Sequence, residues 1–313
     1  MITPIFEDNK LAIVFSCNDN YIPYVASTIL SIIKSSNLSN KYDIIILYQN
    51  LKISSKQLIY RVIGRKNNFN VRFINIVEMV AKYHLKGHIH ISAEAYYRLL
   101  VPHILEGYDR AVHLDGDLIV LEDIIDLIKI DLHRCLLGAR QSIPWVIEGG
   151  REKQNLEYLY ETVKFSSVYK IFNVGVLIFD LTCVDRYINY EILLDDINNN
   201  FYSCGDEDII NKYYQNSTYF IPLKFNLCNY VIDLVKLEKF GTYSMYKEFI
   251  EAYKNPKIIH YQSWRKPWHY PNINMGYYYW NTIRDTELYD LVLQSQSVNI
   301  QKNYLGKIIQ EVC

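Results

Sequence analysis

The sequence predicts an α/β fold, a mainly parallel sheet flanked by helices, and three observations predict it. Short continuous apolar runs alternate with stretches of helical spacing through the first half of the chain, as in strands joined by crossover helices. Polar clusters stand where two of those runs end, and ligands of parallel sheets bind beyond the carboxyl ends of the strands. One of these clusters, Asp115-Gly116-Asp117, brings two carboxylates to one place.

The elements follow in order. Leu11 to Ser16 is an apolar strand ending in the polar turn Cys17-Asn18-Asp19-Asn20. Tyr24 to Lys34 shows helical spacing, with Val25, Ile29 and Ile32/Ile33 on one side. Asp43 to Tyr48 is a second strand, Ser54 to Gly64 a helix and Asn70 to Ile76 a third strand. Ser92 to Leu105 is expected to be helical, with Ser92 and Glu94 as a start signal. The run Ala111 to Leu121 reads as one strand. Residues i and i+2 of a strand share a face, so Asp115 and Asp117 would project together, with Gly116 leaving room for a ligand. In the less regular second half, Arg151 to Tyr160 reads as helix, Phe172 to Leu181 as strand, Tyr187 to Asn198 as helix and Ile258 to Tyr261 as a short strand. From Thr286 onward a helix and a loose tail are expected. The division is one domain over 1–280 and a C-terminal helix and tail over 281–313.

Composition narrows the class. With 33 basic and 34 acidic residues the net charge is −1, which carries no nucleic-acid footprint. The six cysteines show neither C-x-x-C nor zinc-ligand spacing and read as reduced thiols of a cytoplasmic protein. Ile2 to Lys10 is polar and broken by Pro4, so no secretory leader is expected. No stretch reaches the roughly 18 apolar residues of a membrane helix.

Two hard oxygen donors at Asp115 and Asp117 suit Mg²⁺ or Mn²⁺. Asp-x-Asp is a spacing that chance also supplies, and a second copy stands at Asp206-Glu207-Asp208. Late in the chain, His260 follows a short strand and Lys266 precedes Pro267. An imidazole beside two carboxylates tilts the choice toward Mn²⁺, and a lysine can neutralise a phosphate leaving group. Taken singly, the aspartates also fit a strand-ending pair, His260 a satisfied strand-end histidine and Lys266 a solvated lysine. His88 and His90, a lone strand-spaced pair, are assigned no role.

Four patterns in one order resemble the family 8 glycosyltransferases, a retaining group with the GT-A (Rossmann-like) fold. They are Ile13-Val-Phe-Ser-Cys-Asn-Asp-Asn-Tyr21; Tyr96-Tyr-Arg-Leu99 leading into His113-Leu-Asp-Gly-Asp-Leu118; Phe172-Asn-Val-Gly175 with Gly205-Asp-Glu-Asp-Ile209; and His260 through Lys266-Pro-Trp268. The resemblance covers about residues 11 to 270. It implies Mn²⁺, with Mg²⁺ as the alternative, held by Asp115, Asp117 and His260 against the diphosphate of a UDP-sugar. It further implies that Asp19, Asn20 and Tyr21 meet the uridine, with Tyr21 stacking on uracil. Ser16, Asn18, Gly116 and Ser263 belong to the same donor site. Arg98 would reach the donor sugar or its phosphate, Asn173 would hydrogen-bond the sugar, Gly175 would let backbone pass close by, and Asp206 would bind sugar hydroxyls. Lys266 would face the β-phosphate. Asp206, Glu207 and Lys266 form the implied catalytic set.

The chain departs from the family in four places. Glu207 stands where Gln is common, either as a nucleophile toward the anomeric carbon or as a near-isostere. Asn18 replaces a frequent Asp, Arg140-Gln141-Ser142 replaces an acidic residue near the sugar, and Gln262-Ser263 replaces the usual Gly after the metal histidine. The C-terminal region mixes Lys302 and Lys307 with Glu287, Asp290 and Glu311, unlike a basic membrane anchor, so peripheral contact with the membrane's inner face is left open. The implied activity moves galactose or glucose from a UDP-hexose donor to a glycan acceptor: lipopolysaccharide, surface polysaccharide or a glycoprotein glycan. The alternatives are a UDP-sugar hydrolase, a protein-directed glycosyltransferase, or a non-catalytic GT-A homologue acting as a scaffold. A nucleotidyltransferase would want a Gly-rich basic loop after the first strand, and Cys17-Asn18-Asp19-Asn20 is not one.

Overall fold

A computed structural model describes residues 2–85, 92–148, 152–230, 232–262, 264–270 and 272–296. In its first half β1 (Leu11–Ser16), α1 (Ile22–Ser35), β2 (Tyr42–Tyr48), α2 (Ile53–Ile63) and β3 (Phe69–Asn75) follow one another as predicted. β1 and β2 are buried on both faces, and their alternate residues feed two separate cores. Ile13 and Phe15 pack into the core under α1, whereas Ala12 and Val14 face the core on the other side.

The remaining strands are β4 (Arg110–Leu114), β5 (Leu118–Val120), β6 (Leu137–Gln141), β7 (Phe172–Asp180), β8 (Thr218–Phe220), β9 (Leu227–Cys228) and β10 (Ile258–His260). Seven strands form the main sheet in the order β3-β2-β1-β4-β7-β6-β8. The first four are parallel, and β7 runs antiparallel between β4 and β6. The other three make a small sheet, β5-β10-β9.

This second sheet corrects the reading of Ala111 to Leu121 as one strand. The run breaks at Asp115-Gly116-Asp117: its first half is β4 in the main sheet, and its second half pairs antiparallel with β10. The aspartates therefore sit in the link between two sheets. Gly116 does not leave room for a ligand, because a Cβ there would lie 2.6 Å from Val25 Cγ2 and 3.0 Å from Tyr21 Cδ1. The link is tied to α1 by Thr28, whose hydroxyl lies 2.8 Å from the Leu118 carbonyl and 3.1 Å from that of Gly116. The Val120 N–H donates to Ser31 Oγ at 2.9 Å.

Two other elements differ from expectation. Ser92 to Leu105 is a 3-10 helix (Ala93–Leu100) followed by a single α-turn (Val101–Ile104). Pro102 has no N–H to extend an α-helical ladder across the junction. The helix predicted from Tyr187 begins at Tyr190, where Asn189 Oδ1 accepts the Glu191 N–H at 2.9 Å. At the C-terminal end, α3 will denote Asp206–Tyr214 and α4 Gly276–Ile283. Helix α4 runs through residue 280, and residues 287–296 are helical as well. Leu288 and Val292 are fully buried in the core under α1, and Gln296 Nε2 donates to the Pro267 carbonyl at 3.2 Å. His88, His90, Lys302, Lys307 and Glu311 lie outside the described residues.

Thr28→Val keeps the shape of a buried side chain but strips its hydrogen bonds from the aspartate link. It is expected to cost about 1–3 kcal/mol in urea unfolding.

Candidate active site

The ends of β4 and β10, the start of β7, the 3-10 helix and the first turn of α3 converge on the Asp115–Asp117 link. The Asp115 N–H donates to the Gly175 carbonyl at 2.9 Å, which docks the link on β7. Leu118 is the register partner of His260, so β10 carries its imidazole to the same place.

Asp115, Asp117 and His260 offer ligand atoms that all lie within 4.8 Å of one another. His260 Nε2 is 3.3 Å from Asp117 Oδ1 and 3.6 Å from Asp115 Oδ2. Asp117 is buried, and its Oδ1 has no hydrogen-bond partner despite the near imidazole. An orphaned carboxylate oxygen beside a second carboxylate and an imidazole nitrogen fits a divalent cation, and the mixed O/N donor set fits Mn²⁺ better than Mg²⁺.

The cations around the pair are protein groups. Lys266 Nζ pairs with Asp117 Oδ2 and donates to the Tyr261 carbonyl at 2.7 Å. Burial pushes the Asp117 carboxyl up, but Lys266 and His260 hold it well below the ordinary range. Burial alone would lower the His260 pKa, and Asp117 overrides it, raising the ring to about 10. A cation binding at Nε2 therefore displaces a proton. Arg98 is buried between the two acidic motifs. Its Nη2 donates to Asp115 Oδ1 at 2.6 Å, and its Nε lies 2.9 Å from Asp206 Oδ2. Its Nη1 donates to the Val174 carbonyl at 2.5 Å.

Asp206 and Glu207 open α3. Burial pushes Asp206 up to about 6, with Arg98 pulling down and Asp115 pushing up. Burial also raises Glu207, to about 8, helped by Asp208 and Asp206. Asn173 Nδ2 donates to Glu207 Oε2 at 2.9 Å. Gly175 is required by contact, because a Cβ there would lie 2.2 Å from His260 Cε1 and 2.9 Å from Asp115 Oδ2.

The loop after β1 is tied mainly to its own surroundings. Asn18 Oδ1 accepts from the Asn20 and Tyr21 N–H groups at 3.1 and 3.2 Å. Asp19 is spent on the start of α2, accepting from the Lys52 N–H at 2.9 Å and Ser55 Oγ at 2.6 Å. Asn20 is exposed. Ser16 Oγ lies 2.9 Å from His113 Nε2. Tyr21 alone of this loop reaches the cluster, donating to Asp117 Oδ2 at 3.4 Å, with its ring edge-on to Trp268. Ser263 lies outside the described residues.

Sequence reasoning missed Asn226, which is fully buried and lies 3.0 Å from His260 Nδ1 through its Oδ1. Nothing in Phe225-Asn226-Leu227 marks it, because a two-residue strand has no readable period. Arg140 was noted only as a departure. It proves buried opposite Asn173, past a bulge in β6, with Nη2 3.1 Å from Cys228 Sγ. A cleft of about 540 Å³ opens beside the site, lined in part by Asn229, Tyr230, Gln262, Trp264, Tyr270 and Asn274.

Residues 12–272 match the family described as Glycosyl transferase family 8. The chain belongs to this family. Over 296 residues it is 23% identical to General stress protein A of Bacillus subtilis (strain 168), covering 88% of this chain and 97% of that one. It is 28% identical to the Lipopolysaccharide 1,2-glucosyltransferase of Escherichia coli (strain K12), over 71% of this chain and 66% of the relative. Among solved structures, the galactosyltransferase LgtC in complex with donor and acceptor sugar analogs superposes with a TM-score of 0.68 at 21% identity, covering 89% of this chain and 95% of LgtC. The fold is thus the GT-A fold of this family, and the chain is a glycosyltransferase.

Gly175→Ala should drive His260 off its position and weaken Mn²⁺ binding about tenfold or more, measured by titration on protein whose near-ultraviolet circular dichroism is unchanged. Glu207 gives a pH prediction. Its carboxyl holds its proton from the ordinary 4.5 up to about 8 in the folded chain, so folding stability declines as pH rises through that window. Glu207→Gln is expected to flatten the decline in urea unfolding followed against pH.

Proposed function

We propose that this glycosyltransferase moves a hexose, galactose or glucose, from a UDP-hexose to a glycan acceptor with retention of anomeric configuration, using Mn²⁺ held by Asp115, Asp117 and His260. The observation that carries the reading is the orphaned, buried Asp117 Oδ1 facing Asp115 and His260 Nε2, with Lys266 on the other oxygen of the same carboxylate. The bound cation supplies charge neutralisation for the diphosphate as the sugar's anomeric C–O bond breaks.

The protein's residues divide the remaining tasks. Lys266 adds a fixed positive charge where the leaving group accumulates negative charge. Arg98 holds Asp115 and Asp206 in register, so one side chain aligns the diphosphate end and the sugar end of the donor. Asn173 and Asp206 bind the sugar, and Glu207 presents a carboxyl to its anomeric side. Tyr21 covers the uracil, with Ser16, Asn18, Asp19, Asn20 and Gly116 shaping the loop and link beneath it. The acceptor occupies the cleft beyond Gln262, whose aromatic rings and side-chain amides suit the C–H faces and hydroxyls of a pyranose. A lipopolysaccharide or other surface polysaccharide is favoured by the similarity to the Escherichia coli glucosyltransferase. The cysteines among the described residues are free, which fits a cytoplasmic, reducing compartment. Among the described residues no helix is long and apolar enough to cross a membrane.

Calorimetric titration of UDP tests the reading. Binding is expected with Mn²⁺, and its loss is expected with EDTA or in Asp117→Ala. UDP binding indifferent to both would sink the metal assignment. Release of free hexose from UDP-hexose, undiminished by any glycan acceptor, would replace transfer with hydrolysis.

A further inference from the structure

Behind the carboxylates, a chain of side-chain amides connects His260 to Glu207, and one unambiguous donor fixes its direction. The Gly175 backbone N–H donates to Asn173 Oδ1 at 3.2 Å. The oxygen of that amide is therefore identified, and its nitrogen faces Glu207 Oε2 at 2.9 Å. Asn226 meets Asn173 Oδ1 from the other side at 2.8 Å, and only its Nδ2 can donate there. Asn226 Oδ1 is left facing His260 Nδ1 at 3.0 Å, and an oxygen in that place requires an N–H on the ring. Swapping the Asn226 amide would set oxygen against oxygen at one end, so the orientation is determined by the network. Cys228 also lies beside the ring, but its thiol is engaged by Gln262 Oε1 at 3.0 Å and Arg140 Nη2 at 3.1 Å.

We propose that Asn226 is a positioning residue for the cation site: it assigns the proton of neutral His260 to Nδ1, frees Nε2 to face Asp115 and Asp117, and links the cation site through Asn173 to Glu207. The inference rests on the metal reading above. Asn226 and Asn173 are both almost wholly buried, so water cannot replace a lost partner, and an unpaired amide there would leave the ring free to turn. Two carboxylates alone would accept either ring nitrogen. The distinction between Nδ1 and Nε2 comes from the opposite side of the imidazole.

The probe is Mn²⁺, titrated into the full chain with UDP present and the free ion followed by its electron paramagnetic resonance. Asn226→Leu, similar in size but unable to accept the Nδ1 proton, is expected to weaken Mn²⁺ about 10- to 100-fold. Asn226→Asp keeps an acceptor opposite Nδ1, though it sets an oxygen against Asn173 Oδ1, and is expected to bind Mn²⁺ more tightly than the leucine variant. Should the leucine variant not fold, ¹⁵N-histidine spectra of wild type loaded with UDP and diamagnetic Mg²⁺ decide the matter, with a proton expected on Nδ1. A proton on Nε2, a folded leucine variant that binds like wild type, or an aspartate variant as weak as leucine overturns the assignment. Wild type that binds no Mn²⁺ removes the metal reading and this inference with it. Wild-type binding with unaffected variants removes this inference alone.

Discussion

Asp117 is a buried carboxylate with a second carboxyl group, Asp115, beside it, and much of the fold around them brings cations to face them. Arg98 arrives on a 3-10 helix, Lys266 on the segment after β10, and the His260 ring from β10 itself. Each comes from a different element, so the pair becomes tolerable only when all of them are packed. Asp117 Oδ1 still lacks a hydrogen bond after these contacts, which fits the cation proposed above.

The same constraint explains the division into two sheets. A straight strand through Ala111 to Leu121 would carry the second half of the run away from β10. Breaking at Gly116 lets β4 stay in the main sheet while β5 crosses to pair with β10, and the aspartates occupy the seam. The seam is clamped from α1 by Thr28 and Ser31. The segment that carries Lys266 is clamped to the same helix by Trp268, stacked on Tyr24 with ring centroids 3.8 Å apart. Residues 287–296 close the packing over it. Helix α1 thus positions both partners of the Asp117–Lys266 pair.

Arg140 and Glu207 face each other across the site. Arg140 opposes the burial that raises Glu207. Burial and the neighbouring carboxyls still win, so Glu207 stays protonated further into the alkaline range than an exposed glutamate.

The sequence by itself determined the strand–helix alternation of the first half, because side-chain period is a local property of ten or so residues. Through four motifs kept in one order it also picked out Arg98, Asp115, Asp117, His260 and Lys266, which the fold brings together. What only the tertiary structure decided is which atoms meet. Lys266 and Asp117 stand 149 residues apart, and no local pattern pairs them. The break at Gly116 was hidden because a continuous apolar run looks the same whether one sheet or two receive it. Asn226 was hidden more deeply: a lone amide in irregular chain carries no period, and its role exists only once Gly175, Asn173 and His260 are folded around it. Hydrogen-bond direction is set by partners in space, and spacing along the chain does not encode it.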